Sequence, residues 1–81
     1  MERKDQEKWI AAMAATLRAE RGDAALSQAE VERRTGITRT SYRMYESGRR
    51  SPDALGLALI AEAFGILPSR LISEAERRFK A

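Results

Sequence analysis

The stretch LSQAEVERRTGITRTSYRMYESG, from Leu26 to Gly48, carries two helix start signals and two stop signals within 23 residues. Ser27 with Glu30 three positions later forms a capping box, and Leu26 before the cap with Val31 after it forms a hydrophobic staple. The helix they open runs over about residues 27–34 and stops at Thr35-Gly36, where glycine supplies the left-handed backbone that a sharp turn needs. Thr38 then caps a helix over about 39–47, with Ile37 and Tyr42 as its staple and Gly48 as its stop. Helical periodicity turns Ser41, Tyr42 and Tyr45 inward and leaves Thr40, Arg43 and Met44 outward, with Arg39 at the exposed N-terminal edge.

Helical patterning continues on both sides of this pair. Trp9, Ile10, Met13, Ala14 and Leu17 fall on one stripe of a helix over about 5–21, ended by Gly22-Asp23. Ser51 followed by Pro52 reads as an N-cap with proline in the first turn, opening a helix over about 52–64. Its run from Ala54 to Ala61 (ALGLALIA) is apolar all round, which predicts a central, surrounded helix. Pro68 opens a last helix over about 68–79, with Leu71, Ile72, Ala75 and Phe79 on one stripe. No strand pattern or repeat interrupts the series, so an all-α, five-helix, single domain over 1–81 is expected.

Composition narrows the chemistry. The chain has no cysteine and no histidine, which removes disulfides, thiolate metal sites and the commonest general base. There is no Ser-His or Cys-His pair, no phosphate-cradling glycine loop and no carboxylate pair placed for a cleft, so neither an enzyme nor a cofactor or metal is expected. A content of 43% hydrophobic and 33% charged residues suits an ordered soluble domain. The uncharged run Trp9 to Leu17 is rich in alanine, is preceded by acidic residues and leads straight into Arg18, Glu20 and Arg21, unlike a targeting segment. No segment approaches a membrane span, and a cytoplasmic location is expected.

The net charge of +3 is small, but its distribution is uneven. Arginines 33, 34, 39, 43, 49 and 50 face a single carboxylate, Glu46, between positions 33 and 50. That concentration of planar guanidinium groups suits phosphate oxygens and guanine edges. Two short helices joined at Thr35-Gly36-Ile37 have the dimensions of a helix-turn-helix, whose second helix enters the major groove. Its outward residues Arg39, Thr40, Arg43 and Met44 offer a fork for guanine, a hydroxyl and methyl, a cation, and apolar contact for a thymine methyl.

The sequence resembles the repressor class that includes phage lambda-type repressors and xenobiotic-response-element regulators. The resemblance runs over about residues 14–72 through Leu17-Arg18 with Arg21, Leu26-Ser27-Gln28, Val31, Gly36-Ile37, Glu46, Gly48, Pro52, Leu55, Ile60-Ala61, Gly65-Ile66 and Leu71. It implies base readout by Arg39, Thr40 and Met44, and phosphate contact by Gln28 and the Ser47 to Ser51 loop with Arg49 and Arg50. Thr38 and Arg43 are added as a phosphate and a base contact. Three departures from the family pattern stand out: Glu32 where a small residue is usual, Thr35 where an aliphatic one is usual, and tyrosines at 42 and 45. Glu32 is expected to accept from Tyr42 or Tyr45, or to pair with an arginine of the third helix. Glu46 is expected to brace the turn by bonding backbone or an arginine.

Together these readings predict a sequence-specific DNA-binding transcriptional regulator, of repressor type, acting on double-stranded DNA with no small-molecule substrate. The alternative is a protein-interaction adaptor on the same fold, which would carry a more apolar outer face. Ile66, Leu67, Leu71, Ile72, Ala75 and Phe79 offer more apolar surface than a peripheral helix easily hides, so they are expected to form a homodimer interface, and two-fold symmetry then calls for a near-palindromic operator.

Overall fold

The computed structural model describes all residues, 1–81, as five helices without a strand: α1 (Arg3–Asp23), α2 (Gln28–Thr35), α3 (Arg39–Ser47), α4 (Ala54–Phe64) and α5 (Pro68–Lys80). The expected all-α architecture is therefore the observed one. The caps of the central pair form where their residues place them. Ser27 Oγ accepts the Glu30 amide at 3.1 Å, and Thr38 Oγ1 accepts the Ser41 amide at 3.2 Å. Glu30 turns its carboxylate to Arg33 and Arg34 on the outside of α2, so the capping box is closed from one side. Gly36 ends α2 at φ 77°, a backbone state that a side chain disfavours. Thr35 explains its own departure from an aliphatic residue: its hydroxyl donates to the Val31 carbonyl at 2.7 Å and accepts the Ile37 amide at 3.1 Å, bracing the turn.

Two helix ends differ from expectation. Helix α1 carries Gly22 inside its last turn, and the left-handed residue is Ala25 at φ 57°. That state costs a non-glycine residue roughly 1–2 kcal/mol. It is held by the Leu26 amide donating to the Arg21 carbonyl at 3.2 Å and by Arg21 Nη1 donating to the Leu26 carbonyl at 2.9 Å. Helix α4 is capped by Asp53, whose Oδ1 accepts the Gly56 amide at 2.7 Å, and not by Ser51. Pro52 lies ahead of the cap and is buried. A Cβ on Gly56 would stand 3.2 Å from Asp53 Oδ1 and 3.3 Å from Pro52 Cβ, so glycine at this position admits both.

The core gathers Met13 and Leu17 of α1, Val31 of α2, Tyr42 of α3, Ile60, Ala61 and Phe64 of α4, and Leu71 and Ala75 of α5. The central element is α1, which packs on both α3 and α5, while α4 packs on α2 and α5. The expectation of a surrounded α4 is corrected accordingly. Its Gly56, Ile60, Ala61 and Phe64 are buried, but Ala54 and Ala58 face outward and Leu55 is 68% exposed. Alanine at two of the outer positions reduces the apolar area that this surface helix exposes, while Leu55 stays outside.

The apolar stripe of α5 is likewise turned to its own chain. Leu71 and Ala75 are fully buried, and Phe79 stacks on Trp9 of α1 with ring centroids 4.6 Å apart. At about 1.5 Å per residue, the 21 residues of α1 are long enough to cover α5 from end to end. Polar seams reinforce the same contact: Arg70 donates twice to the buried Glu20, at 3.2 Å each, and Arg78 donates to Thr16 Oγ1 at 3.1 Å. No buried polar side-chain atom lacks a partner.

Leu71→Ala should therefore destabilise the isolated chain by about 2–5 kcal/mol, as expected for truncating a fully buried leucine. Phe79→Ala, on a half-buried ring, should cost less, on the order of 1–2 kcal/mol. Urea unfolding followed by circular dichroism ranks the two, and an equal or smaller loss for Leu71→Ala would contradict this packing.

Candidate nucleic-acid interface

Nine residues are too few for a helix to stand alone, so α3 depends on what holds its inner side. Only Tyr42 and Glu46 of α3 are buried. Tyr42 fills the core, and its hydroxyl donates to Glu46 Oε2 at 2.6 Å, one helical turn on. Glu46 is the point where three helices meet. Arg21 of α1 donates from Nε to Oε2 at 2.6 Å and from Nη2 to Oε1 at 3.1 Å, and Gln28 of α2 donates from Nε2 to Oε1 at 3.1 Å. Arg18 adds a hydrogen bond to the Glu46 backbone carbonyl. The expected bracing role of Glu46 thus involves both arginine and backbone.

The electrostatics follow from that geometry. Burial alone would push the Glu46 carboxyl up, but the hydrogen bonds from Arg21, Tyr42 and Gln28 together hold it below the usual carboxylate range. Burial, and then the bond to ionised Glu46, pushes the Tyr42 hydroxyl far up, so it stays a donor. The bond to Glu46 also raises Arg21.

With its inner side fixed, α3 presents Arg39, Thr40 and Arg43 to solvent, with Met44 half-buried between them. Thr40, Arg43, Met44, Ser47 and Arg49 line an open depression at the junction of α3 with the following loop. Gly48, at φ 75°, folds that loop back so that the Arg49 and Arg50 amides both donate to the Met44 carbonyl, at 2.9 and 3.3 Å. The Arg50 guanidinium lies 5.8 Å over the Tyr45 ring. Thr38 is exposed with its oxygen committed to the cap, and Ser47 donates to the Met44 carbonyl at 3.2 Å.

The six arginines of the central stretch separate into two groups. Arg33 and Arg34 pair with Glu30 on the outside of α2, and Arg34 also reaches the Ala63 carbonyl. Arg39 pairs with Glu32, Nη2 to Oε1 at 3.4 Å, while Glu32 Oε2 accepts the Arg39 backbone amide at 3.1 Å. Of the partners expected for Glu32, the arginine of α3 is the one observed; Tyr42 bonds Glu46. Arg43, Arg49 and Arg50 have no carboxylate partner, so unneutralised positive charge is concentrated along α3 and its loop.

The sequence reading did not foresee one link. Gln28 has both ends of its amide engaged within the protein, Nε2 toward Glu46 and Oε1 toward Arg43, whose Nε donates at 3.0 Å. Arg43 is thereby drawn toward the start of α2. Residues 28 and 43 lie on different helices, and no local period relates them. The stripe of α5 expected at an interface is also divided: Leu71 and Ala75 are inside, Ile66 and Phe79 half-buried, while Leu67 is 72% and Ile72 is 46% exposed.

A helix-turn-helix family profile matches residues 17–71, the segment that contains α2, α3 and the helices that mount them. The chain belongs to the lambda-repressor-like helix-turn-helix family. This helix-turn-helix protein is a DNA-binding transcriptional regulator. It is 33% identical over 72 residues to y4dJ of Sinorhizobium fredii (strain NBRC 101917 / NGR234), described as an uncharacterized HTH-type transcriptional regulator, covering 89% of this chain and 90% of that protein. No solved structure gives a significant match. No single helix of the protein is long and apolar enough to cross a membrane.

Because folding lowers the Glu46 pKa below the ordinary 4.5, its ionised form stabilises the fold above that value, and the contribution is lost as pH falls through the folded-state value. Glu46→Gln should cost about 1–3 kcal/mol at pH 7, since Arg21 loses its buried counter-charge. The gap to the parent protein should narrow as pH is lowered from about 5 toward 3. Urea denaturation of both proteins across this range measures it, and a gap independent of pH would contradict the assignment.

Proposed function

We propose that the protein is a sequence-specific repressor that places α3 in the major groove of double-stranded DNA and works as a homodimer on a near-palindromic operator. The supporting observation is the contrast between the two sides of α3: a rigid mount at Tyr42 and Glu46, and an outer edge of Arg39, Thr40, Arg43 and Met44 beside unpaired arginines. Arg39, Thr40 and Met44 read bases, while Thr38, Ser47, Arg49 and Arg50 contact phosphate. Arg43, drawn toward α2 by Gln28, is assigned mainly to phosphate, and Gln28 contributes through it. A polar outer face favours DNA over the adaptor reading, no catalytic role is assigned to any residue, and the regulator is assigned to the cytoplasm.

Readout and grip are separable. Arg39→Ala should cost about 1–3 kcal/mol on the preferred duplex and little on a scrambled one. Arg49→Ala should weaken both and lower the slope of log affinity against log salt by about one unit. Paired titrations at several salt concentrations decide this; equal losses on both duplexes for both variants, or a flat salt response in the parent protein, would count against the proposal.

The dimer reading rests on the apolar side chains that α5 leaves outside, Leu67 and Ile72, next to half-buried Ile66. Half-sites then lie about 34 Å apart, one turn of the duplex. Sedimentation should give a dimer that Ile72→Glu converts to monomer without loss of helix content. A parent chain that stays monomeric both free and on DNA would remove this part of the proposal.

A further inference from the structure

We propose that Glu32 is a positioning residue that sets sequence discrimination by keeping Arg39 from being captured by phosphate, an inference that rests on α3 reading bases. Glu32 comes from α2 but spends both carboxylate oxygens on the first residue of α3: one accepts the Arg39 amide at 3.1 Å and the other meets Arg39 Nη2 at 3.4 Å. The first contact fixes where α3 begins. The second draws the guanidinium toward α2, and it is the single ion pair on the outer face of α3.

Arginine has five N–H donors, and the ion pair with Glu32 lies at one end of the guanidinium, leaving an edge with two donors open. A guanine edge asks for two parallel donors, to O6 and N7, so Arg39 can meet guanine while its other edge stays on Glu32. Phosphate capture is different. An Arg39 swung out to a phosphate abandons Glu32, leaving an unpaired carboxylate facing the polyanion, where like charges repel. Glu32 thus penalises the nonspecific mode and spares the specific one. Specificity is a difference of affinities, and a built-in repulsion against the wrong complex enlarges it as well as an added attraction to the right one does. The pair is half-exposed, so it adds little to fold stability. Its effect lies in which complex it allows.

The test compares the parent protein with Glu32→Gln, Arg39→Ala and the double variant. Each is titrated on the duplex that the parent protein selects from a random pool and on a shuffled duplex of the same composition, at several salt concentrations. Glu32→Gln should tighten binding to the shuffled duplex roughly threefold, leave the selected duplex nearly unchanged, and so shrink the selected-to-shuffled ratio about threefold. Its salt slope on shuffled DNA should steepen by about one unit as Arg39 joins the phosphate contacts. In the Arg39→Ala background, Glu32→Gln should leave the ratio unchanged. A merely structural role would weaken both duplexes by one factor, and that result overturns the inference, as does an unchanged ratio or a change that persists without Arg39. Glu32→Ala, which restores the small residue usual at this position in the family, carries the same expectations if thermal melting shows the glutamine variant unfolded. A parent protein that selects no duplex overturns the DNA reading itself, whereas clear selection with a ratio insensitive to Glu32 overturns this inference alone.

Discussion

The carboxylate of Glu46 sits in the protein interior with donors from α1, α2 and α3 converging on its two oxygens. A buried charge is tolerated only when its partners are complete, because removing one leaves the others facing an unsatisfied ion in a medium of low polarity. That requirement couples three helices. If α3 rotates or slides, Tyr42 and Glu46 move together and the bonds to Arg21 and Gln28 fail at once. Apolar packing offers less restraint, since α3 gives the core one fully buried side chain, Tyr42, with Tyr45 packed partly buried against it. Direction is supplied by charge where the buried area is too small to supply it.

Confining the anchoring to the face of Tyr42, Tyr45 and Glu46 leaves the opposite side of α3 free for other duties. Its outer side chains are organised from α2, not from within: Glu32 holds the start of the helix and Arg39, and Gln28 links Arg43 to the buried node. The first helix of the motif therefore does more than pack against the second. It supplies partners that draw two exposed arginines toward itself, and a group already oriented loses less freedom when it binds.

Features governed by local rules were legible in the sequence. Ser27, Gly36, Thr38 and Gly48 act at the positions where their chemistry predicts caps and stops, because a cap is a contact between residues three apart. The fold class and the pairing of α2 with α3 followed. Less local features did not follow. Ser51-Pro52-Asp53 holds two capping residues one apart, and the one used is Asp53, with Pro52 buried ahead of the helix. The apolar run of α4 suggested a centre, yet alanine at its outer positions makes a surface location inexpensive in exposed area. The stripe of α5 was visible, but its partner was not, since periodicity says that a face is covered without saying by what. The Gln28 and Arg43 bond, between helices, had no signal in spacing.

The pairing of α1 with α5 has a bearing on how the chain acquires its structure. These helices stand at opposite ends of the sequence, joined by the Trp9 and Phe79 stack and by Arg70 on Glu20. During synthesis α1 leaves the ribosome before α5, the longer of the two helices it packs on. Until then Leu17 and Met13 lack the cover of Leu71 and Ala75, although α2 and α3 have already emerged. Contacts so distant along the chain must wait for the loop between them to close, which slows folding relative to a bundle held by neighbours alone. The helix-turn-helix pair is thus translated before the helix that completes the core, and until then the nascent chain carries an uncovered apolar stripe.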